Sequence, residues 1–154
     1  MSRSIEMDAT DRRILRALQR DATLSLADLS ERVNLSRSAC WRRLNKLEAA
    51  GVIRERVTLL DPAAVGLPLT VFVTVRTNQH NQRWAQRFRE VVEGIPGVLE
   101  VYRMGGDVDY LLKAVVADMP DYDRLYQELI EADLSDVNAG FVMEEIKRTS
   151  ALPL

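Results

Sequence analysis

The chain lacks most of the residues that build metal centres, disulfide frameworks and membrane spans. Cys40 is the only cysteine and His80 the only histidine among 154 residues, which excludes an internal disulfide and a cysteine-rich or histidine-rich metal site. The longest apolar run, residues 69–75, is interrupted by threonines and is far shorter than a membrane-spanning helix. The first eight residues lack the apolar core of a secretory signal, so we expect a cytoplasmic protein. Five prolines and seven glycines are too few for a disordered or fibrous chain, which leaves a folded protein of one domain or two small ones.

The net charge of −2 hides an uneven distribution of charge along the chain. Residues 1–60 hold 12 Lys and Arg against 8 Asp and Glu, a net charge of +4, whereas residues 61–154 hold 9 against 15, a net charge of −6. A basic first part joined to an acidic second part indicates two tasks, one of which involves a polyanion. An asymmetry of this size supports binding to nucleic acid without proving it.

The first part of the chain carries the capping signals of three short helices. Asp8, Ser25 and Ser36 each precede a segment with apolar residues at helical spacing, and each is a preferred N-cap residue. Gly51 is a common residue type at the end of a helix and closes the third one. We therefore predict a helix-turn-helix domain, with residues 52–60 forming a small strand or wing.

The third of these helices has two different faces. Cys40 and Leu47 fall on an apolar side, and cations with small polar residues fall on the opposite side. Arginine forks onto guanine and asparagine onto adenine in the major groove, while flanking cations neutralise phosphates. The alternative that the pattern leaves open is a three-helix bundle whose arginines only keep it soluble. The predicted DNA-binding residues are Ser36, Arg37, Ser38, Trp41, Arg42, Arg43, Asn45, Lys46, Arg54 and Arg56.

The second part of the chain reads as strand, helix, strand, strand, helix and strand. Runs rich in β-branched residues at 69–77, 98–104, 110–116 and 139–146 predict the strands. This order predicts an α+β fold, a ferredoxin-like βαββαβ sandwich with both helices on one side of the sheet. The other side carries apolar side chains that need a cover, which predicts a homodimer. The predicted domains are residues 1–60 and residues 69–154, with a linker at 61–68.

The loop Gly105-Gly-Asp-Val-Asp-Tyr110 between two predicted strands is the best candidate for a small-molecule site. Its two glycines expose backbone N–H groups suited to a carboxylate, and its aspartates suit an ammonium group. Together they would fit a free amino acid. The alternative, which the residues alone favour, is a hairpin that needs glycine for its turn and aspartate for solubility.

No arrangement of residues predicts catalysis. Cys40 lies on the apolar face of its helix, where a small hydrophobic residue is expected, and His80 has no second histidine to work with. The acidic pairs at 144–145 and 121–123 lie at a predicted strand end and a helix start, where solvated charge is normal. We therefore predict a protein that is not an enzyme and that has no metal or cofactor.

Four segments, in their order and spacing, resemble the Lrp/AsnC, or feast/famine, family of transcription regulators. They are Asp11-Arg-Arg-Ile-Leu15, Leu35-Ser-x-x-x-Cys-x-Arg-Arg-Leu-x-x-Leu-Glu-x-x-Gly-x-Ile53, Gly106-Asp-x-Asp-Tyr-Leu-Leu112 and Val142-Met-Glu-Glu-Ile-Lys147. The resemblance implies a winged helix-turn-helix domain, a ferredoxin-like sensing domain, dimers that assemble into octamers, and an amino-acid effector bound where dimers meet. The effector-binding residues that it implies are Met104, Gly105, Gly106, Asp107, Asp109, Tyr110, Met119, Gly140, Phe141 and Val142.

A finer similarity concerns the identity of the effector. Trp41, Leu60-Asp-Pro62, Arg103-Met-x-Gly106, Val116-Ala-Asp-Met119 and the Leu152-Pro-Leu154 tail resemble the branch of the family that senses cysteine. The resemblance therefore implies a sequence-specific DNA-binding transcription regulator that responds to a small amino acid, with cysteine as the first candidate and leucine or methionine as others. The alternatives are a nucleoid-type architectural protein without an effector and a regulatory domain of amino-acid metabolism.

Overall fold

The computed structural model describes residues 6–154, which form two compact units. The first unit contains the chain up to Thr58 together with Lys147–Leu154, and the second contains Leu59–Ile146. Residues 1–5, part of the segment in which the sequence predicts no secretory signal, lie outside the described residues. Within the described part of the chain, no helix is both long and apolar enough to cross a membrane.

The first unit is built on three helices that begin at their predicted N-caps. They are α1 (Ala9–Arg20), α2 (Leu26–Arg32) and α3 (Arg37–Ala49). The side chains of Asp8, Ser25 and Ser36 accept hydrogen bonds from backbone N–H groups of the first turn of each helix. Gly51 follows α3 with φ of 71°, a left-handed conformation that favours glycine. The capping residues therefore determine where each helix starts and where α3 ends.

The C-terminal tail completes the core of these three helices. The core is apolar, and its almost fully buried residues include Ile14, Leu29, Cys40 and Leu47. Leu154 packs against it, and the Gln19 amide of α1 accepts from the Leu152 N–H at 2.6 Å and donates to the Leu152 carbonyl at 3.2 Å. The structure therefore differs from the predicted boundary at 69–154, because these contacts attach the last eight residues to the helical unit.

Residues 52–60 do not form the predicted strand within this chain. Their backbone has no ladder partner, and Val57 and Leu59 are 61% and 66% exposed. A β-strand is stabilised by hydrogen bonds to a neighbouring strand, and the described chain pairs no strand with this segment. One exposed ion pair, Arg56 Nη2 to Glu48 Oε1 at 3.0 Å, connects the segment to α3.

The second unit is an α+β sandwich of four strands and two helices. Its elements are β1 (Leu69–Arg76), α4 (Gln82–Gly94), β2 (Val98–Arg103), β3 (Tyr110–Val116), α5 (Met119–Ile130) and β4 (Asp136–Phe141). The sheet is antiparallel with the order β2-β3-β1-β4, which confirms the predicted βαββαβ arrangement. Alternate strand residues such as Val71, Val73 and Leu112 are buried against Phe88 of α4 and Leu129 of α5.

The last strand lies earlier in the chain than residues 139–146, where the sequence predicted it. The ladder between β4 and β1 ends with a hydrogen bond of 2.9 Å from the Val142 N–H to the Thr70 carbonyl. Because β1 begins only one residue before Thr70, the residues after Val142 have no strand to pair with. Ile146 is accordingly 91% exposed. The prediction is wrong at this end because strand length depends on the partner as well as on the local residues.

The docking of the tail leads to a test of stability. Leu154→Ser should lower the free energy of unfolding by about 1–2 kcal/mol, since it removes an apolar contact with the helical core. Urea denaturation followed by circular dichroism measures this change. Leu152→Ser is the matched control, because that side chain is 70% exposed and the variant keeps both backbone hydrogen bonds to Gln19. Equal effects of the two substitutions would contradict the docked position of the tail.

Candidate nucleic-acid interface and effector site

The helix α3 turns an exposed side away from the core of its unit. Cys40 and Leu47 are fully buried on the inner side, whereas Trp41 is 57% exposed and so is not packed beneath the other helices. The predicted DNA-binding residues that share this exposed side with Trp41 are polar or cationic. The predicted DNA-binding residues that the structure brings together on α3 and at its N-cap are Ser36, Arg37, Ser38, Trp41, Arg42, Asn45 and Lys46. Arg54 and Arg56 lie in the irregular segment that follows.

Arg43 differs from the predicted DNA-binding residues on the exposed side of α3, because it pairs with carboxylates of α1. Its Nη1 lies 2.7 Å from Asp8 Oδ2 and 2.7 Å from Asp11 Oδ1, so the guanidinium is paired with the beginning of α1. The hydrogen bond to Asp11, followed by the one to Asp8, raises the pKa of Arg43. The pKa of Asp8 is lowered, first by the backbone N–H of Asp11 and next by Arg43. The sequence predicts that Arg43 binds DNA. A contact with a DNA phosphate would have to compete with these two carboxylates for the guanidinium.

The predicted effector loop is an ordered hairpin turn between β2 and β3. The Met104 N–H donates to the Asp109 carbonyl at 2.8 Å and closes the turn. Gly106 has φ of 127°, which favours glycine at this position. The Asp109 carboxylate accepts the Thr77 N–H at 2.8 Å, which attaches the loop to the end of β1. Asp109 therefore has a structural task, whereas the hairpin interpretation expected the aspartates to serve only solubility.

A small polar cavity lies beside this loop. Its volume is about 160 Å³, and it is lined by Thr77, Gln79, His80, Asn81, Gln82, Trp84, Ala85, Arg103, Asp109 and Tyr110. Arg103 and Asp109 place charges of opposite sign on its wall, an arrangement suited to a zwitterion. The predicted site residues included Asp109 and Tyr110 but missed Arg103 and His80. The predicted strand order could have indicated both residues. It places the end of β2, where Arg103 lies, and the segment after β1, where His80 lies, next to the same loop.

The remaining predicted effector residues lie at the opposite end of the sheet. Met119 follows β3 at the start of α5, and Gly140 and Phe141 pair with the first half of β1. Phe141 packs edge-on against Tyr122 with ring centroids 5.0 Å apart. The length of β3 separates this group from the hairpin loop by roughly 20 Å, at about 3.3 Å per residue. One chain therefore does not bring the two groups into a single site.

The residues considered for catalysis belong to different units of the chain. Cys40 is buried in the helical unit, where desolvation raises the pKa of its thiol. A buried, protonated thiol is a poor nucleophile. His80 lines the cavity of the second unit instead. Among residues 6–154, no group of three His, Cys, Asp or Glu side chains is arranged to hold a metal ion.

A cationic helix-turn-helix followed by an α+β domain with a polar cavity is the architecture of a ligand-responsive DNA-binding transcription regulator. Comparison with known families agrees, since residues 7–54 match a winged helix-turn-helix DNA-binding domain and residues 70–152 match the Lrp/AsnC ligand binding domain. The chain belongs to the Lrp/AsnC family of transcription regulators, with a winged helix-turn-helix domain and an amino-acid ligand-binding domain.

Several relatives resemble the chain over almost its whole length. A glutamate uptake regulatory protein of Zymomonas mobilis is 51% identical over 150 residues, which cover 97% of this chain and 92% of the relative. The DNA-binding transcriptional activator DecR of Escherichia coli is 47% identical over 150 residues, covering 96% and 99%. The first relative is named a regulatory protein and the second a transcriptional activator, which agrees with the prediction that this chain is not an enzyme.

Solved structures show the same fold. The crystal structure of an AsnC family transcriptional regulator from Agrobacterium tumefaciens is 53% identical with a TM-score of 0.91, covering 96% of this chain and 97% of the other. A transcriptional regulator of Neisseria meningitidis in complex with L-methionine is 37% identical with a TM-score of 0.90 and the same two coverages. The family assignment therefore rests on both sequence and fold.

Proposed function

We propose that this regulator reads DNA with the exposed side of α3 and that a small amino acid, with cysteine as the first candidate, controls its assembly or its DNA binding. The DNA-reading role is supported by the exposed side of α3, which lies opposite the buried Cys40 and Leu47. It holds arginine, asparagine and an exposed tryptophan, which recognise base edges or stack on bases. Effector binding acts as a switch only if the effector favours one state of assembly or DNA binding over another.

The effector site is proposed to form between copies of the chain. The hairpin loop and cavity lie at one end of the sheet, and Met119 with residues 140–142 lies at the other. A second copy that presents its opposite end would complete the site. Arg103 would hold the carboxylate of the amino acid, and carboxylates of the loop would receive its ammonium group. Assembly of dimers into octamers, which the family resemblance implies, is the simplest source of such a contact.

Three amino acids compete with cysteine as the effector. Methionine is the ligand in the related structure from Neisseria meningitidis, and glutamate appears in the name of the relative from Zymomonas mobilis. Leucine appears in the name of a relative from Haemophilus influenzae, a leucine-responsive regulatory protein that is 35% identical over 154 residues. The segments that resemble the cysteine-responsive branch favour cysteine. All four compounds share the zwitterion that Arg103 and the loop suit.

The open side of the sheet is proposed as the homodimer interface. α4 and α5 cover the side that carries Val71 and Leu112, whereas Phe72 and Tyr102 lie on the other side and are 40% and 50% exposed. Burying such side chains against a second copy would stabilise a dimer by the hydrophobic effect. A two-fold dimer would favour pseudo-palindromic DNA sites. We place the assembled regulator in the cytoplasm, where it would reach DNA and free amino acids.

DNA binding is tested with a triple variant of the exposed side of α3. Arg37→Ala, Arg42→Ala and Asn45→Ala together should weaken binding to a duplex selected by the wild-type protein about 100-fold or more, at about 1–3 kcal/mol for each base-reading side chain. Fluorescence anisotropy measures the affinity, and circular dichroism confirms the fold. Arg83→Ala with Arg87→Ala on α4 removes the same positive charge and is the control. Retained affinity in the triple variant would contradict this interface.

The effector is tested by calorimetric titration with L-cysteine, L-leucine, L-methionine and L-glutamate. We expect one compound to bind and Arg103→Gln to weaken it about 10-fold or more, because a charge-assisted hydrogen bond to the carboxylate is lost. Arg83→Gln, which loses an arginine that does not line the cavity, is the control. If none of the four amino acids binds, the sensor hypothesis is contradicted. The architectural alternative, in which DNA wraps an oligomer without an effector, would then be favoured.

The dimer is tested by sedimentation equilibrium of Phe72→Glu. This variant should sediment as a monomer, since burying a new charge in the interface is costly. In the isolated sheet the new carboxylate stays exposed to solvent opposite Lys113, which pairs with Glu100. Val65→Glu is the control, because Val65 is similarly exposed, at 54%, but lies in the turn before β1. An unchanged mass for Phe72→Glu would place the dimer interface elsewhere.

A further inference from the structure

Arg43 lies next to Arg42 in the chain but occupies a different side of α3. At about 100° per residue, Arg43 is about 60° from the direction of the buried Cys40, whereas Trp41, Arg42 and Asn45 lie about 100° or more away from it. Its side chain is 29% exposed and its Nη1 donates to both Asp8 and Asp11. Arg43 therefore borders the core and links α3 to the beginning of α1.

The two carboxylates that receive Arg43 are themselves held in place. Asp11 is only 2% exposed, and its second oxygen accepts the Asp8 N–H at 3.3 Å. Asp8 Oδ1 caps α1 by accepting the N–H groups of Thr10 and Asp11, each at 2.8 Å. Burying a carboxylate to this extent is costly unless a charged or hydrogen-bonding partner compensates it. We name Asp8, Asp11 and Arg43 the α1–α3 clamp.

The clamp supplies a directional contact that the apolar core does not. Apolar contacts are non-directional and tolerate small rotations of a helix about its axis. A rotation of 20° would move a side chain at a radius of about 6 Å by roughly 2 Å, which is enough to break a hydrogen bond to a base edge. Two charge-assisted hydrogen bonds of 2.7 Å from one guanidinium nitrogen resist such a rotation.

We propose that Arg43 is a positioning residue, which sets the rotation of α3 through Asp8 and Asp11 and thereby the sequence specificity of DNA binding, and that it does not contact phosphate. This proposal rests on the proposed role of α3 as the DNA-reading helix. In this role Arg43 acts indirectly, because it orients Arg42, Asn45 and the other exposed side chains that contact the DNA.

The test compares affinity for a duplex selected by the wild-type protein with affinity for a scrambled duplex, each over a range of salt concentrations. The variants are Arg43→Met, Arg43→Lys, Asp11→Asn and Asp8→Asn, all measured well below their unfolding temperatures. Asparagine is as good an N-cap as aspartate, so Asp8→Asn removes one anion of the clamp and keeps the cap of α1. Arg20→Met removes an exposed arginine from the last turn of α1 and controls for the change in net charge.

The positioning role predicts a specific pattern of losses. Arg43→Met and Asp11→Asn should each weaken binding to the selected duplex about 10-fold and change binding to the scrambled duplex no more than Arg20→Met does. The dependence of log K on log salt should keep its slope. Arg43→Lys should recover part of the specificity, because lysine can reach one carboxylate. Asp8→Asn should show a smaller loss than Asp11→Asn, and it remains informative if Asp11→Asn fails to fold.

Two other patterns would overturn the proposal. If Arg43 contacts phosphate, Arg43→Met weakens binding to both duplexes and lowers the salt slope by about 0.9 for each contact, while Asp11→Asn frees the arginine and strengthens binding. If the clamp only stabilises the fold, the unfolding temperature falls and both affinities of the folded protein stay unchanged. Failure of the DNA-reading role itself is recognised separately, because the Arg37, Arg42 and Asn45 triple variant would then keep its affinity.

Discussion

The burial of one side of α3 against α1 and α2 is the contact on which the DNA-binding unit depends. Because Cys40 and Leu47 are fully buried, helical periodicity leaves Trp41 and Arg42 facing outward. The apolar contact defines the rotation of α3 about its axis only approximately. The directional ion pairs of Arg43 with Asp8 and Asp11 restrict that rotation further. A small apolar core and one polar connection together hold the exposed side of the helix in a defined orientation.

In the second unit, the two helices can cover only one side of the sheet. α4 and α5 bury one side of a four-stranded sheet, and the other side keeps exposed apolar residues such as Phe72. The hairpin loop and the group around Met119 lie at opposite ends of the strands, so their separation is a property of strand length. Both features support the proposal that the effector site needs more than one copy of the chain.

Local sequence signals predicted most of the fold because their physics is local. An N-cap side chain such as Ser36 bonds to backbone N–H groups within three residues, and a periodic apolar pattern marks the buried side of a helix wherever the helix packs. The strand at 139–146 was misplaced because its length depends on β1. Residues 52–60 have strand-forming composition, yet no strand of the described chain pairs with them. Both failures concern hydrogen bonds to distant residues.

The candidate sites also combine features that local sequence signals predict with features that depend on distant residues. The sequence by itself determined the helix-turn-helix, the order of strands and helices, and the chemistry available on α3 and in the glycine-aspartate loop, since these follow from residue type and spacing. Only the tertiary structure decided that Arg43 pairs with α1 and that the tail at Leu154 joins the helical core. The reason is physical: a long side chain or a chain terminus has many partners within reach, and packing across the fold selects one.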